Sequence, residues 1–246
     1  MKENKAIEAR ICGGKLRVLF VSVPGSKFWT VQATIGVGSA NEFPQEAGIA
    51  HLLEHMAYLG SKKRIGKEVM IRDLDALGAV WNGETSYYRT EYYGMVLPGS
   101  GMEADLMDLM ADLTTHATIP DALVSNQRNI IFREINNRLT DASVRADIFA
   151  QRAMYDNSAI ARPVIGTRET LLSFDGTAIQ AFQAKHYTTG NMILAVAGPF
   201  RAIQSEIDEL SDLLAARFAY VRTGERSRYQ PTGEVVDGPR IHTQFD

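Results

Sequence analysis

The sequence predicts an α+β domain, a mostly antiparallel sheet covered by long helices. Short runs rich in β-branched and aromatic residues, each closed by glycine or proline, come as meanders rather than one at a time between helices. Longer stretches with apolar residues three and four apart are inserted between those meanders, which departs from the regular β–α alternation of a parallel sheet. With 246 residues, 45% of them hydrophobic, the chain can bury a substantial core.

Taken in order, residues 16–23 (LRVLFVSV) form a short apolar run closed by Pro24 and Gly25, which predicts a buried strand and a turn. Residues 29–37 alternate well enough to be its antiparallel neighbour, so the two are expected to form a hairpin. From 47 to 59 the pattern turns helical, with Ile49, Leu52, Leu53 and Met56 on one face and Gly60 as the stop. A second helix is expected over 67–77 with Gly78 just past its end, followed by two adjacent strands within the aromatic-rich stretch 80–97. Residues 102–115 are amphipathic, with Leu106, Leu109, Met110 and Leu113 at helical spacing, and the methionines at 102, 107 and 110 read as core. After Pro120 a helix is expected over 121–138, then a helix at 177–187, a strand at 191–197 and a helix at 201–218. From Arg222 the chain turns polar and turn-rich, and residues 240–246 have room for one short strand at most. The expected division is a domain over 1–228 and a polar linker, or the start of a second domain, over 229–246.

Composition excludes several classes. The formal charge is −3, from 26 basic and 29 acidic residues spread along the chain, so no block of one sign is present to attract nucleic acid or anionic lipid. A single cysteine, Cys12, permits neither an internal disulfide nor a cysteine-based zinc site, and it reads as a small strand residue. The longest apolar runs, 18–24 and 192–198, fall far short of the ~20 residues of a membrane-spanning helix. Residues 1–10 lack the apolar core of a secretory signal, so a cytoplasmic location is expected.

The chemistry concentrates in His51-Leu-Leu-Glu54-His55. On a helix, histidines four apart project from one face and can grip one metal ion, while Glu54 stands beside them within reach of a metal-bound water. This H-x-x-E-H order reverses the H-E-x-x-H of the zincins and is the inverzincin signature. A catalytic zinc ion takes three protein ligands plus water, so a third must come from elsewhere. The 121–138 helix offers Glu134, 79 residues beyond His55.

These residues resemble the M16 peptidases, the family of pitrilysin, insulin-degrading enzyme and the mitochondrial processing peptidase, whose zinc motif is followed at a slightly shorter spacing by a ligand glutamate. The likeness extends to GIAHLLEHMAYLG (48–60), to Gly78, Ala79, Asn82, Thr85, Thr90, Tyr92 and Tyr93 in register with the family's strand pattern, and to RPVIGT (162–167) and NMILAVAG (191–198), about 200 residues in all. The resemblance implies a metallohydrolase-like half-domain, a Zn2+ ion held by His51, His55 and Glu134, and Glu54 as general base in peptide-bond hydrolysis. It also implies that the strand carrying Asn82, Glu84 and Thr85 lines the cleft and pairs with an extended peptide.

Two positions depart from the family pattern. Gln127 stands where many members carry a second glutamate on the same helix face, and Tyr88 replaces a usual acidic residue. M16 enzymes resemble two facing domains of about this size, with the second supplying an Arg-Tyr pair that grips substrate. The expectation is therefore a zinc endopeptidase that works with a second M16-type half, from a complementary chain or a second copy. The alternative is a non-catalytic zinc-binding or peptide-presenting subunit, since the family also resembles core proteins of respiratory complexes. His116, His186 and His242 are expected in capping or surface roles, and residues 99–101 read as a turn rather than a phosphate loop.

Overall fold

A computed structural model describes residues 4–99, 101–155 and 158–229. One six-stranded sheet runs through it in the order β1-β2-β6-β3-β5-β4, where β1 is Lys5–Ile11, β2 Leu16–Ser22, β3 Trp29–Ile35, β4 Val80–Thr85, β5 Thr90–Val96 and β6 Met192–Gly198. All neighbours pair antiparallel except β2 with β6. One row of facing residues crosses from Val18 through Leu194, Ala33 and Tyr92 to Gly83. Its first four members are fully buried, so this side of the sheet is the floor of the core.

Eight helices are described: α1 Ile49–Ala57, α2 Lys67–Ala76, α3 Met102–Thr115, α4 Asp121–Thr140, α5 Ala142–Tyr155, α6 Arg168–Ser173, α7 Gly176–His186 and α8 Gln204–Arg217. Of these, α1, α3 and α8 lie directly on the buried face, and the second face stays half-buried or exposed. Polar side chains on that open face pair with one another, as in Gln32 donating to Glu91 at 2.9 Å and Arg17 to Glu8 at 3.0 Å. Among the described residues no helix is long and apolar enough to cross a membrane.

The expected hairpin of β2 with β3 is not formed. β6 inserts between them, parallel to β2 and antiparallel to β3, and Val23 extends the β2 side by donating to Gly198 O at 2.8 Å. A run as apolar as MILAVAG gains most in the middle of the sheet, where both of its edges are hydrogen-bonded, and that outweighs sequence adjacency. The hairpin partner of β2 is β1, joined through a tight turn in which Cys12 has φ +53. Cys12 is thus a turn residue rather than a strand residue, its thiol 3.5 Å from Phe218 O and pushed up in pKa by burial.

Two further elements carried no clear periodicity: α5, which buries none of its side chains fully, and the short α6. His186 is another departure. Far from lying on the surface, it is buried at the end of α7 with Nδ1 2.7 Å from Ser227 Oγ. Ser227 N also donates to Asn191 and Gly190 N to Gly224 O, so residues 222–229 are fastened to the turn before β6. Residues 230–246, including the strand expected at 240–246 and His242, lie outside the described residues.

Candidate metal centre

The site is built on α1. Its N-terminal amides are satisfied not by its own cap but by Glu42, fully buried, whose two carboxylate oxygens accept from Gly48 N and Ala50 N at 2.9 Å each. The chain enters the helix through Gly48 at φ +92, where a Cβ would sit 2.7 Å from Gly166 Cα. Leu52, Leu53 and Met56 anchor α1 in the core. That fixes the opposite stripe, with His51 and His55 one turn apart and ring centroids 4.6 Å from each other.

α4, with Val124 and Ile131 buried in the core, packs against α1 and delivers Glu134. Glu134 Oε2 stands 3.8 Å from the Nε2 atoms of both His51 and His55. One ligand atom from each of these three residues lies within 4.8 Å of the other two. Two imidazole nitrogens and a carboxylate oxygen converging at that spacing fit a zinc ion. The imidazoles also favour the neutral form a metal requires. Burial, with the His55 and Arg138 charges, lowers the His51 pKa to about 3, and burial lowers that of His55 against the opposing pull of Glu134 and of a hydrogen bond that the ring makes with Gln127.

Glu54 sits at the edge of this group, 8% exposed, with Oε2 4.0 Å from His51 Nε2. Burial raises its pKa to about 7, assisted by the nearby Glu134 and Glu84 charges and opposed by Thr85, whose hydroxyl donates to Oε2 at 3.3 Å. β4 passes so close that a Cβ on Gly83 would stand 2.8 Å from Glu54 Oε1 and 3.1 Å from the Tyr58 hydroxyl. A larger residue at 83 would displace the carboxylate.

The structure thus brings His51, His55, Glu134, Glu54 and Thr85 together. The other two strand residues expected at the cleft alternate away: Trp81, Gly83 and Thr85 turn toward α1, whereas Asn82 and Glu84 are exposed. β4 is the edge of the sheet. Gln127 is buried against His55; Tyr88 is exposed and meets Tyr229 edge-on at 5.1 Å. Arg138, one turn after Glu134 on the same stripe of α4 and close enough to act on His51, was not singled out by sequence reasoning, because an exposed helix arginine has no distinguishing pattern.

An antiparallel-rich sheet with an H-x-x-E-H helix on its buried face, joined by a glutamate from a second helix, defines the class of inverted-motif metallopeptidase domains. Residues 17–168 match the model for insulinase, peptidase family M16, and the chain belongs to that family. It is 29% identical to an uncharacterized zinc protease of Bacillus subtilis over 78% of this chain and 46% of that one. An inactive M16 peptidase domain from Pseudomonas fluorescens superposes with TM-score 0.83 at 16% identity, over 94% of this chain and 54% of that one. Pitrilysin superposes at 0.82 with 23% identity, over 96% of this chain and 25% of that one. The chain spans about half the length of the curated relatives it matches.

Proposed function

We propose that this chain is the zinc-binding half of an M16 endopeptidase, with His51, His55 and Glu134 as ligands and Glu54 as general base, acting on peptides or small unfolded proteins. The observation that carries this reading is the placement of the buried Glu54 carboxyl, with Oε2 4.0 Å from His51 Nε2, against the His51, His55 and Glu134 group. A zinc ion bound there supplies Lewis acidity toward the scissile carbonyl and the attacking water. Glu54, buried beside the three ligands, would accept the proton that the water gives up and deliver it to the departing amine. Thr85 holds Oε2, the carboxylate oxygen nearer His51, while Gln127 fixes the His55 ring.

The exposed edge of β4, with Asn82 and Glu84 on it, is the place for an extended peptide to add as a further strand. A second M16-type half, from another polypeptide or a second copy, is proposed to close the cleft, a reading supported by relatives about twice as long. Residues 1–228 are proposed as the catalytic domain and 229–246 as the connection onward. Likeness to an inactive domain rests on the fold alone, and the reading is supported here by three residues able to hold a metal, His51, His55 and Glu134, with Glu54 beside them.

Glu54→Gln separates this from a non-catalytic zinc-binding subunit. Zinc content should stay stoichiometric while cleavage of a mixed peptide library, assayed with the complementary half, falls by at least ~10³-fold. His51→Ala and Glu134→Ala should lose the metal as well. Undiminished hydrolysis by Glu54→Gln would overturn the mechanism, and absence of zinc from the wild-type chain would favour a peptide-presenting role.

A further inference from the structure

A cleft of about 440 Å³ opens where the C-terminal end of α3 and the loop after it meet α7 and residues 220–222; none of His51, His55, Glu54 or Glu134 lines it. We propose that it binds a small organic anion, a carboxylate or phosphate borne on an apolar or aromatic body, with Lys62 and Arg222 holding the charged oxygens.

Charge is the first ground. Lys62 and Arg222 both line the cleft, His116 stands with them, and no carboxylate does, although the chain as a whole carries a net charge of −3. Among the described residues neither the Lys62 ammonium nor the Arg222 guanidinium has an ion pair or a side-chain hydrogen bond. The acid nearest His116 is Asp112, 3.6 Å from its Nδ1, and that carboxylate is buried and already engaged by Arg64 at 2.8 Å and by Ser61. Two cations that line one concavity and have no ion pair among the described residues suit an oxyanion, with the guanidinium able to grip two oxygens at once.

Placement is the second ground. Both cations lie outside regular helices and strands, yet their backbones are tied to the walls. Lys62 N donates to His116 O at 3.3 Å, Thr118 N to Gly60 O at 3.0 Å, and Ser61 bridges Ala117. Arg222 O accepts from Thr189 N at 2.9 Å, next to the Thr188–Arg222 bridge. The loops carrying the charges are therefore fixed before any ligand arrives, which lowers the ordering cost of binding.

The remaining lining explains why an inorganic ion alone is a poor match. Ile119 and Val221 give the cleft an apolar floor. Tyr220, 78% exposed, stands over it with its ring centroid 5.8 Å from that of His116. A large aromatic held in solvent beside two cations offers a face for a flat ligand body.

The test is calorimetric titration of benzoate and of phenyl phosphate into the full chain at low ionic strength, with benzamide as the uncharged control. Because oxyanions also ligate zinc, each titration is run with and without the metal. Saturable 1:1 binding of either anion, indifferent to zinc, absent for benzamide and at least ~10-fold weaker in the K62A/R222A double variant, is the expected result. The tighter titrant identifies the headgroup. The charge-preserving K62R/R222K variant should retain binding and guards against a folding defect. No saturable binding of either anion, binding that requires zinc, or affinity unchanged in K62A/R222A would overturn the proposal.

Discussion

At the scale of single residues, the candidate base is positioned by groups that do no chemistry themselves. Thr85 donates a hydrogen bond to Glu54 Oε2 at 3.3 Å, and the missing side chain at Gly83 supplies the room. A base that must reach a water beside three metal ligands loses rate when its carboxylate can rotate away. Thr85→Val keeps the shape and removes the donor, so kcat for peptide cleavage should fall about tenfold with KM little changed, and Thr85→Ser should recover most of it. Equal loss in both variants would mean that Thr85 contributes packing rather than orientation. The grouping of His51, Glu54 and His55 was legible in the sequence because H-x-x-E-H has fixed geometry on any helix, and Glu134 was legible through its place in the helix after Pro120. Gly83 and Arg138 were not, since what matters there is proximity across elements, to which spacing along the chain is blind. Asn82 and Glu84 show the converse: they belong to the right strand, but its alternation turns their side chains away from Glu54.

At the scale of elements, α1 is short for a helix that carries three of the candidate site residues, and its nine residues depend on outside support. Glu42 provides it by capping Gly48 N and Ala50 N, and Arg162 donates to Glu42 O at 2.6 Å from the far side of the entry loop. Glu42→Ala removes both acceptors and leaves two buried amides unpaired at the positive end of the helix, which should destabilise the fold by about 2–4 kcal/mol. Because His51 follows Ala50 directly, zinc affinity should fall with it; chemical denaturation together with a zinc-chelator competition would measure both, and unchanged values in each would show that α1 caps itself through solvent. The limits of sequence reading also belong to this scale. Long amphipathic stretches such as α3 and α4 show their boundaries because one face is buried over many turns. The β2–β3 pairing was misjudged because β6, arriving about 160 residues later, competes for the same edges, and α5 gave no signal because it buries no side chain fully.

At the scale of the whole molecule, the turn between α7 and β6 links the last described segment to the sheet, and His186 is its buried hub. Nδ1 meets Ser227, the main-chain oxygen accepts from Asn191 Nδ2 at 2.8 Å, and the ring lies 4.4 Å from that of Phe182. Burial, helped by the adjacent Lys185 charge, depresses its pKa from 6.5 to about 4. Between those values the unfolded chain binds a proton that the folded chain refuses, so stability rises with pH. The contribution is complete above about pH 6.5 and is lost progressively as the pH falls toward 4, with a ceiling of roughly 3 kcal/mol. Denaturant unfolding at pH 7.5 and pH 5, in the presence of a chelator so that metal release does not contribute, should show His186→Gln losing at least ~1 kcal/mol less on acidification than the wild type. The variant should begin from a lower stability at pH 7.5, because a flexible amide replaces a packed ring. If both proteins lose the same amount, the acid sensitivity lies with His51 and His55 instead, and residues 222–229 are held by their main-chain bonds to Thr189 and Gly190 without help from the imidazole.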